Sequence, residues 1–174
     1  KRKVVSIPDD EIEMVLKSSD DEGELCNVYL DSITLNRTKE IFSNIYADLG
    51  IADPQMNANY ILFSKKQKNE QVRASSFYQK LLYGLTMVRE LLYALTRQKN
   101  TDAYEADMKA VFEALEQFAA DNSPLRMIGS PNYLYKLLKE FVERNLKPLS
   151  FGEDSFVIIQ EGWKVESEIG RAHV

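Results

Sequence analysis

Side chains that could do covalent or metal chemistry are scarce in this sequence, which has one cysteine, Cys26, and one histidine, His173. Nucleophilic hydrolysis of the Ser-His-acid or Cys-His kind needs a base that removes the hydroxyl or thiol proton. A zinc site needs clustered cysteines and histidines. Because neither pattern is present, we predict no catalytic residue, no metal ligand and no bound cofactor. Cys26 is expected to be a small buried or half-buried hydrophobic side chain.

Phosphate cradles and paired carboxylates are disfavoured by their spacing. The seven glycines are scattered and match neither the dinucleotide-binding pattern nor the P-loop pattern. Glu113 and Glu116 are three residues apart, but they lie off the apolar seam, which is typical of a solvated helix face. Residues 9–24 carry a net charge of −7 without the ligand spacing of a calcium loop. We interpret them as a capped helix followed by a solvated acidic loop.

A basic stretch is the one electrostatic feature that indicates binding, because residues 64–80 carry a net charge of +4. Basic side chains beside aromatic rings are typical of single-stranded nucleic-acid binding, in which phosphates are neutralised and bases stack. An exposed polar connection between two helices explains the same residues, so both interpretations stay open. The candidate basic patch consists of Lys65, Lys66, Lys68, Arg73 and Lys80.

Three aromatic residues are candidates for a protein interface, namely Tyr133, Tyr135 and Trp163. Tryptophan and tyrosine are enriched at the energetic hot spots of interfaces. We therefore expect a protein partner, with nucleic acid as the alternative partner and no membrane association. The oligomeric state stays open.

The elements that must position these residues are predicted to be mainly helical. Apolar residues spaced three and four apart predict helices over Ser75–Gln98 and Asp102–Asp121, joined by a short turn into an antiparallel hairpin. The expected fold class is mainly α, a multi-helix bundle built on this long hairpin. Shorter helices are predicted over residues 6–17, 25–33, 41–49, 53–63 and 131–145, with a further helix start at residues 123–124. For residues 25–33, a strand that contains Val28–Leu30 is the alternative.

A β-rich run near the C-terminal end predicts a short β-hairpin. Phe156–Ile159 would be its first strand, Glu161 and Gly162 its turn, and Trp163–Val165 its second strand. A hairpin alone is marginal in water. An α+β fold is therefore the alternative if more strands lie outside this chain, and Lys3–Ile7 could supply one.

The predicted organisation has four parts: an N-terminal strand or helix with the acidic loop (1–24), the helical bundle (25–149), the start of a β element (150–168) and a translated sequencing adapter (169–174). One reading frame of a common adapter encodes Ile169–Val174, and a native ending is the alternative. The chain begins with Lys1 rather than Met. We therefore expect a fragment of a longer protein, in which His173 is not native.

Composition limits the function further. No run of about 18 apolar residues and no signal-peptide pattern occurs, which predicts a cytoplasmic location. The net charge of −5 and the pI near 5.1 argue against a generally basic nucleic-acid-binding surface. The expected function is a non-catalytic helical protein-interaction or scaffold module. The alternative is an accessory helical domain of a nucleic-acid-processing enzyme, and a self-contained enzyme without histidine is a third.

Overall fold

The fold is α+β, so the prediction of a mainly α-helical bundle is wrong. The computed structural model describes residues 6–19, 25–66, 74–99 and 104–160, of which 40% are helical and 31% are in strands. In chain order the elements are a 3₁₀ turn (Asp9–Glu11), β1 (Met14–Ser19), β2 (Leu25–Leu30), α1 (Ser32–Asp48), β3 (Asn57–Lys65), α2 (Ala74–Tyr83), β4 (Met87–Arg97), β5 (Tyr104–Ala106), α3 (Met108–Ala120), β6 (Leu125–Gly129), α4 (Pro131–Glu143) and β7 (Phe156–Ile159).

The chain divides into two compact units. The first comprises Lys1–Met56 and Gln67–Met87, and the second comprises Asn57–Lys66 and Val88–Val174. Each unit is therefore built from segments that are distant in sequence. The predicted boundaries at residues 24, 149 and 168 stay predictions.

The first unit consists of a β-hairpin and two helices. β1 and β2 pair antiparallel, with Met14 opposite Leu30 and Ser19 opposite Leu25. Four buried side chains form its core, Leu16, Leu30, Leu35 and Phe77. The helices predicted over residues 6–17 and 25–33 are wrong, because each segment satisfies its backbone hydrogen bonds with the other strand instead of within itself. The strand alternative at Val28–Leu30 is confirmed, since β2 contains these residues.

The second unit contains a five-stranded sheet in the order β5-β4-β3-β6-β7. β3 and β6 pair in parallel, from Asn59 opposite Leu125 to Leu62 opposite Ile128, and β6 and β7 also pair in parallel. β5 runs antiparallel to β4. Side chains from α3 and α4 pack with the sheet in one core cluster, which includes Ile61, Phe63, Val111, Phe112, Phe118, Met127, Leu134 and Leu137.

The predicted helix over residues 53–63 is wrong because β3 is a central strand. All six side chains from Ala58 to Phe63 are buried. A strand buried on both faces has a continuous apolar run instead of alternation, and this run cannot be distinguished from a buried helix by periodicity. The helix start at residues 123–124 fails for the same reason, since the five residues of β6 are all buried.

The long helix predicted over Ser75–Gln98 is wrong in its second half. α2 ends at Tyr83, next to Gly84, and the chain continues as the strand β4. Leucine, tyrosine and valine occur in both helices and strands, so a spacing of three and four across residues 85–95 did not exclude a strand. The predicted helical hairpin is therefore absent from the described residues.

Four predicted elements are confirmed. α1 covers the predicted helix that ends before Gly50, whose φ is +69°. α3 covers most of the predicted Asp102–Asp121 helix. α4 begins at Pro131 as predicted, and β7 is the predicted strand. Trp163–Val165, residues 1–5, His173 and residues 169–174 lie outside the described residues. Within the described part, no helix is long and apolar enough to cross a membrane.

Asp31 supplies the N-terminal cap of α1. Its Oδ1 accepts a hydrogen bond from the backbone N–H of Thr34 at 2.6 Å. A hydrogen bond from the Thr34 side chain and a smaller contribution from the Thr34 backbone N–H hold the pKa of Asp31 below its ordinary value of 3.8. A carboxyl group whose pKa is depressed by folding stabilises the protein above its unfolded pKa, and this stabilisation is lost as the pH falls through the folded pKa.

We predict that Asp31→Asn makes the first unit less sensitive to acid. Asparagine is also a good N-cap but does not titrate, so the variant should lose less stability than the wild type between neutral pH and pH about 3. Urea unfolding followed by circular dichroism at both pH values measures this loss, and Asp31→Ala, without a cap at either pH, is the control. Equal losses in the wild type and Asp31→Asn would contradict the prediction.

Candidate functional site

Three parallel strands of the second unit end at the same edge of the sheet. β3 ends at Lys65, β6 at Gly129 and β7 at Ile159. Ligands of open α/β sheets bind at the carboxyl ends of parallel strands, where the following loops and helix N-termini meet. We call this part of the second unit the carboxyl edge and define it by Ser64–Lys66, Arg97, Tyr104, Gly129, Ser130 and Gln160.

Close packing shapes the carboxyl edge at the end of β6. A Cβ atom at Gly129 would lie 2.7 Å from the Cβ of Phe63, so a larger residue there requires the two strands to shift. The Phe63 ring stacks on Tyr133 of α4 with 5.7 Å between ring centroids. The backbone N–H of Gln160 donates to the Gly129 carbonyl at 2.9 Å. These contacts hold the ends of β3, β6 and β7 and the first turn of α4 together.

A lysine ammonium group is held at the carboxyl end of β3. The Nζ of Lys65 lies 4.8 Å from the centre of the Tyr104 ring, within the range of a cation–π interaction. Tyr104 pairs with Arg97, the last residue of β4, so β4 also ends at the carboxyl edge. Lys65, Lys66 and Arg97 therefore bring positive charge to this edge, and Glu105 follows Tyr104 in β5.

The N-terminus of α4 adds to the positive potential. α4 begins at Pro131, directly after β6, and the N-cap side chain of Ser130 makes no capping hydrogen bond. Helix N-termini carry a partial positive charge and favour anionic groups. Ser64 adds a hydroxyl whose Oγ is buried and has no hydrogen-bond partner among the described residues. The carboxyl edge is thus suited to a phosphate or carboxylate group.

The described residues of the predicted basic patch belong to both units. Lys65 and Lys66 follow the apolar run of β3 in the second unit, whereas Lys80 lies exposed in the last turn of α2 in the first unit. Lys68 and Arg73 lie outside the described residues. One interpretation of the patch was a connection between two helices, but Lys65 ends the strand β3 and Lys66 follows it.

The predicted interface aromatics differ in exposure. Tyr133 is half-buried by its stacking on Phe63, whereas Tyr135 is 41% exposed on the outer side of α4. Trp163 lies outside the described residues. Cys26, expected to be buried or half-buried, is exposed on β2, although it lies on the same face of the strand as the buried Leu30.

Sequence reasoning missed Tyr104, Arg97 and Gly129 as parts of a site. The available signal was the change from the apolar run of residues 60–63 to Ser64, Lys65 and Lys66, which marks the end of a buried strand. A second signal was Gly129, which precedes the correctly predicted helix start at Ser130. Among residues 6–19, 25–66, 74–99 and 104–160, no three or more His, Cys, Asp or Glu residues could hold a metal ion.

Comparison with known families changes the functional interpretation. A family model described as "Acyl-protein synthetase, LuxE" matches residues 1–171. No curated protein and no solved structure matches the chain. Because the matching family is one of enzymes, the prediction of a non-catalytic protein-interaction or scaffold module is wrong, and the match does not support the nucleic-acid alternative. No histidine or cysteine pattern in the sequence indicated this family.

We predict that Gly129→Ala destabilises the second unit by about 1–3 kcal/mol, the usual cost of overpacking a close contact. Gly50→Ala is the matched control, because no atom lies within 4 Å of a Cβ at that position and only its positive φ is strained. Chemical unfolding of both variants measures the difference. If Gly129→Ala loses no more unfolding free energy than Gly50→Ala, the close packing against Phe63 does not constrain residue 129.

Proposed function

The chain belongs to the LuxE family of acyl-protein synthetases, and we propose from this membership that it activates a carboxylic acid and passes the acyl group to a protein. The observation that carries the proposal is the family match, which covers residues 1–171 of 174. The carboxyl edge of the second unit is the proposed site for the charged groups of the substrates.

The chemistry of acyl transfer defines what such a site must hold. A carboxylate does not acylate a protein directly, because it has no good leaving group. In a synthetase, a carboxylate oxygen attacks a phosphorus atom of a nucleoside triphosphate, a phosphate-containing group leaves, and an acyl-phosphate anhydride forms. A nucleophile of the acceptor protein then attacks the acyl carbonyl and the phosphate-bearing group departs, so the enzyme must stabilise negative charge on phosphate and carboxylate oxygens.

Three features of the carboxyl edge support its assignment to these anions. Lys65, Lys66 and Arg97 supply positive charge, the α4 N-terminus supplies a favourable dipole, and the ends of parallel strands are the usual ligand position in open α/β sheets. Lys65 is the residue best placed to test, because its Nζ is held by a described contact.

We also propose that the protein partner expected from the sequence is the acceptor of the acyl group. Tyr135 is the described candidate for contact with it, since its ring is exposed on α4 and aromatic side chains are enriched at interface hot spots. Tyr133 and Trp163 stay candidates from the sequence. A cytoplasmic location remains part of the proposal, because a nucleoside triphosphate is available there.

The activity is tested with the complete protein that carries this chain. The protein is incubated with ATP and radiolabelled carboxylic acids of graded chain length, and radioactivity in precipitated protein is measured with and without ATP. ATP-dependent labelling of protein is expected for at least one acid. Absence of labelling across the series, with protein shown to be folded by circular dichroism, would count against the proposed activity.

We predict that Lys65→Met weakens ATP binding and labelling. Loss of a charge-assisted contact to phosphate is worth about 1.5–3 kcal/mol, so the dissociation constant for ATP should rise roughly tenfold or more. Isothermal titration calorimetry measures it. Lys147→Met is the matched control, because Lys147 is exposed beyond the end of α4, away from the helix start at the carboxyl edge.

The two lysine variants separate the site from the activity. Weaker ATP binding in Lys65→Met alone supports the carboxyl edge. Equal binding in Lys65→Met, Lys147→Met and the wild type would refute the role of Lys65, even if labelling shows that the protein is an acyl-protein synthetase.

A further inference from the structure

We propose that Tyr104 is a positioning residue that holds the Lys65 ammonium group at the carboxyl edge, ready for the phosphate groups of a nucleotide. The inference rests on the proposed function, because it assigns to Tyr104 a role in the same anion site. It goes beyond that function by identifying what keeps a flexible lysine in place without cancelling its charge.

The contact is between a strand end and the start of another strand. Lys65 is the last residue of β3 and is half-buried, and its Nζ lies 4.8 Å from the centre of the Tyr104 ring. Tyr104 is the first residue of β5 and is 38% exposed. A partly exposed ring beside a half-buried lysine leaves the ammonium group accessible to a ligand.

The kind of group that contacts Lys65 decides whether the positive charge of its ammonium group is neutralised. Other lysine and arginine side chains of the second unit form ion pairs with carboxylates, as Lys109 does with Glu113 and Arg89 with Asp121. Within the described residues, no carboxylate forms an ion pair with Lys65, and its contact is with an aromatic ring. A ring attracts a cation through its quadrupole but carries no net charge. The positive charge of Lys65 therefore remains available to an anionic substrate.

The backbone of β5, which carries Tyr104, is held by its partner strand and by the residue that follows it. β5 pairs with the end of β4, with Tyr104 opposite Arg97 and Ala106 opposite Leu95. The backbone N–H of Asp107 donates to the Ala94 carbonyl at 2.8 Å, and the Asp107 side chain caps α3 through the Ala110 N–H. The Tyr104 ring is thus carried by a strand that is anchored at Asp107, the residue directly after the strand. A ring held in this way can restrict the many rotamers of the Lys65 side chain.

The ring face, and not the phenol hydroxyl, is the part that acts in this proposal. Tyr104→Phe should therefore bind ATP within about twofold of the wild type, whereas Tyr104→Leu should raise the dissociation constant roughly three- to tenfold. Tyr104→Val is the second truncated variant, because valine retains strand propensity. Thermal unfolding of each variant confirms that the fold is retained.

A double-mutant cycle tests whether Tyr104 acts through Lys65. ATP titrations are performed on the wild type, Lys65→Met, Tyr104→Leu and the double variant, all in the complete protein. If the ring works by holding the lysine, Tyr104→Leu causes no further loss in the Lys65→Met background. If Tyr104 has a purely structural role, Tyr104→Leu weakens ATP binding equally in the wild-type and Lys65→Met backgrounds.

Each outcome has a separate meaning. If Lys65→Met does not change ATP binding, the lysine role in the proposed function fails and the positioning inference fails with it. If Lys65→Met weakens binding but the truncated Tyr104 variants do not, or if they weaken it equally without the lysine, only the positioning inference is overturned. Loss of binding in Tyr104→Phe would also overturn it, because the hydroxyl would then be the acting group.

Discussion

The parallel pairing of β3 with β6 is the constraint on which the second unit depends. Six consecutive side chains of β3 and all five residues of β6 are buried, so both strands must be covered on both faces. A parallel pair cannot be closed by a tight turn, and the intervening chain must cross over through other elements. α2, β4, β5 and α3 all lie within that crossover, and α4 lies within the next one, between β6 and β7.

The attachment of the edge strand β7 shows how polar and apolar contacts are combined. The Ser155 hydroxyl donates to the Gly152 carbonyl and accepts from the Leu125 N–H, which joins the loop before β7 to the start of β6. Further along, the Arg126 guanidinium, in a side chain only 1% exposed, lies 4.7 Å from the centre of the Phe156 ring. These contacts set the register in which β7 reaches the carboxyl edge.

The parallel arrangement of the strands explains why the candidate site lies at the carboxyl edge. Parallel strands end together, so residues from distant parts of the chain meet without any local sequence motif. Lys65 reaches Tyr104, and Phe63 occupies the space that a side chain at Gly129 would need. An acyl-protein synthetase has to stabilise negative charge on phosphate and carboxylate oxygens. Lysine, arginine and a helix N-terminus do this without the histidine or cysteine that nucleophilic hydrolysis requires.

The sequence by itself determined the elements whose signals are local, together with the family to which the chain belongs. The glycine that ends α1, the Ser130-Pro131 start of α4, the amphipathic stripe of α3 and the β-rich run of β7 are each contained within a few turns or residues. Only the tertiary structure decided that residues 57–65, 87–97 and 125–129 are strands, because a buried strand and a buried helix have the same apolar composition and only a partner strand distinguishes them. The contact between Lys65 and Tyr104 was likewise beyond sequence reasoning, since strand order and register create it.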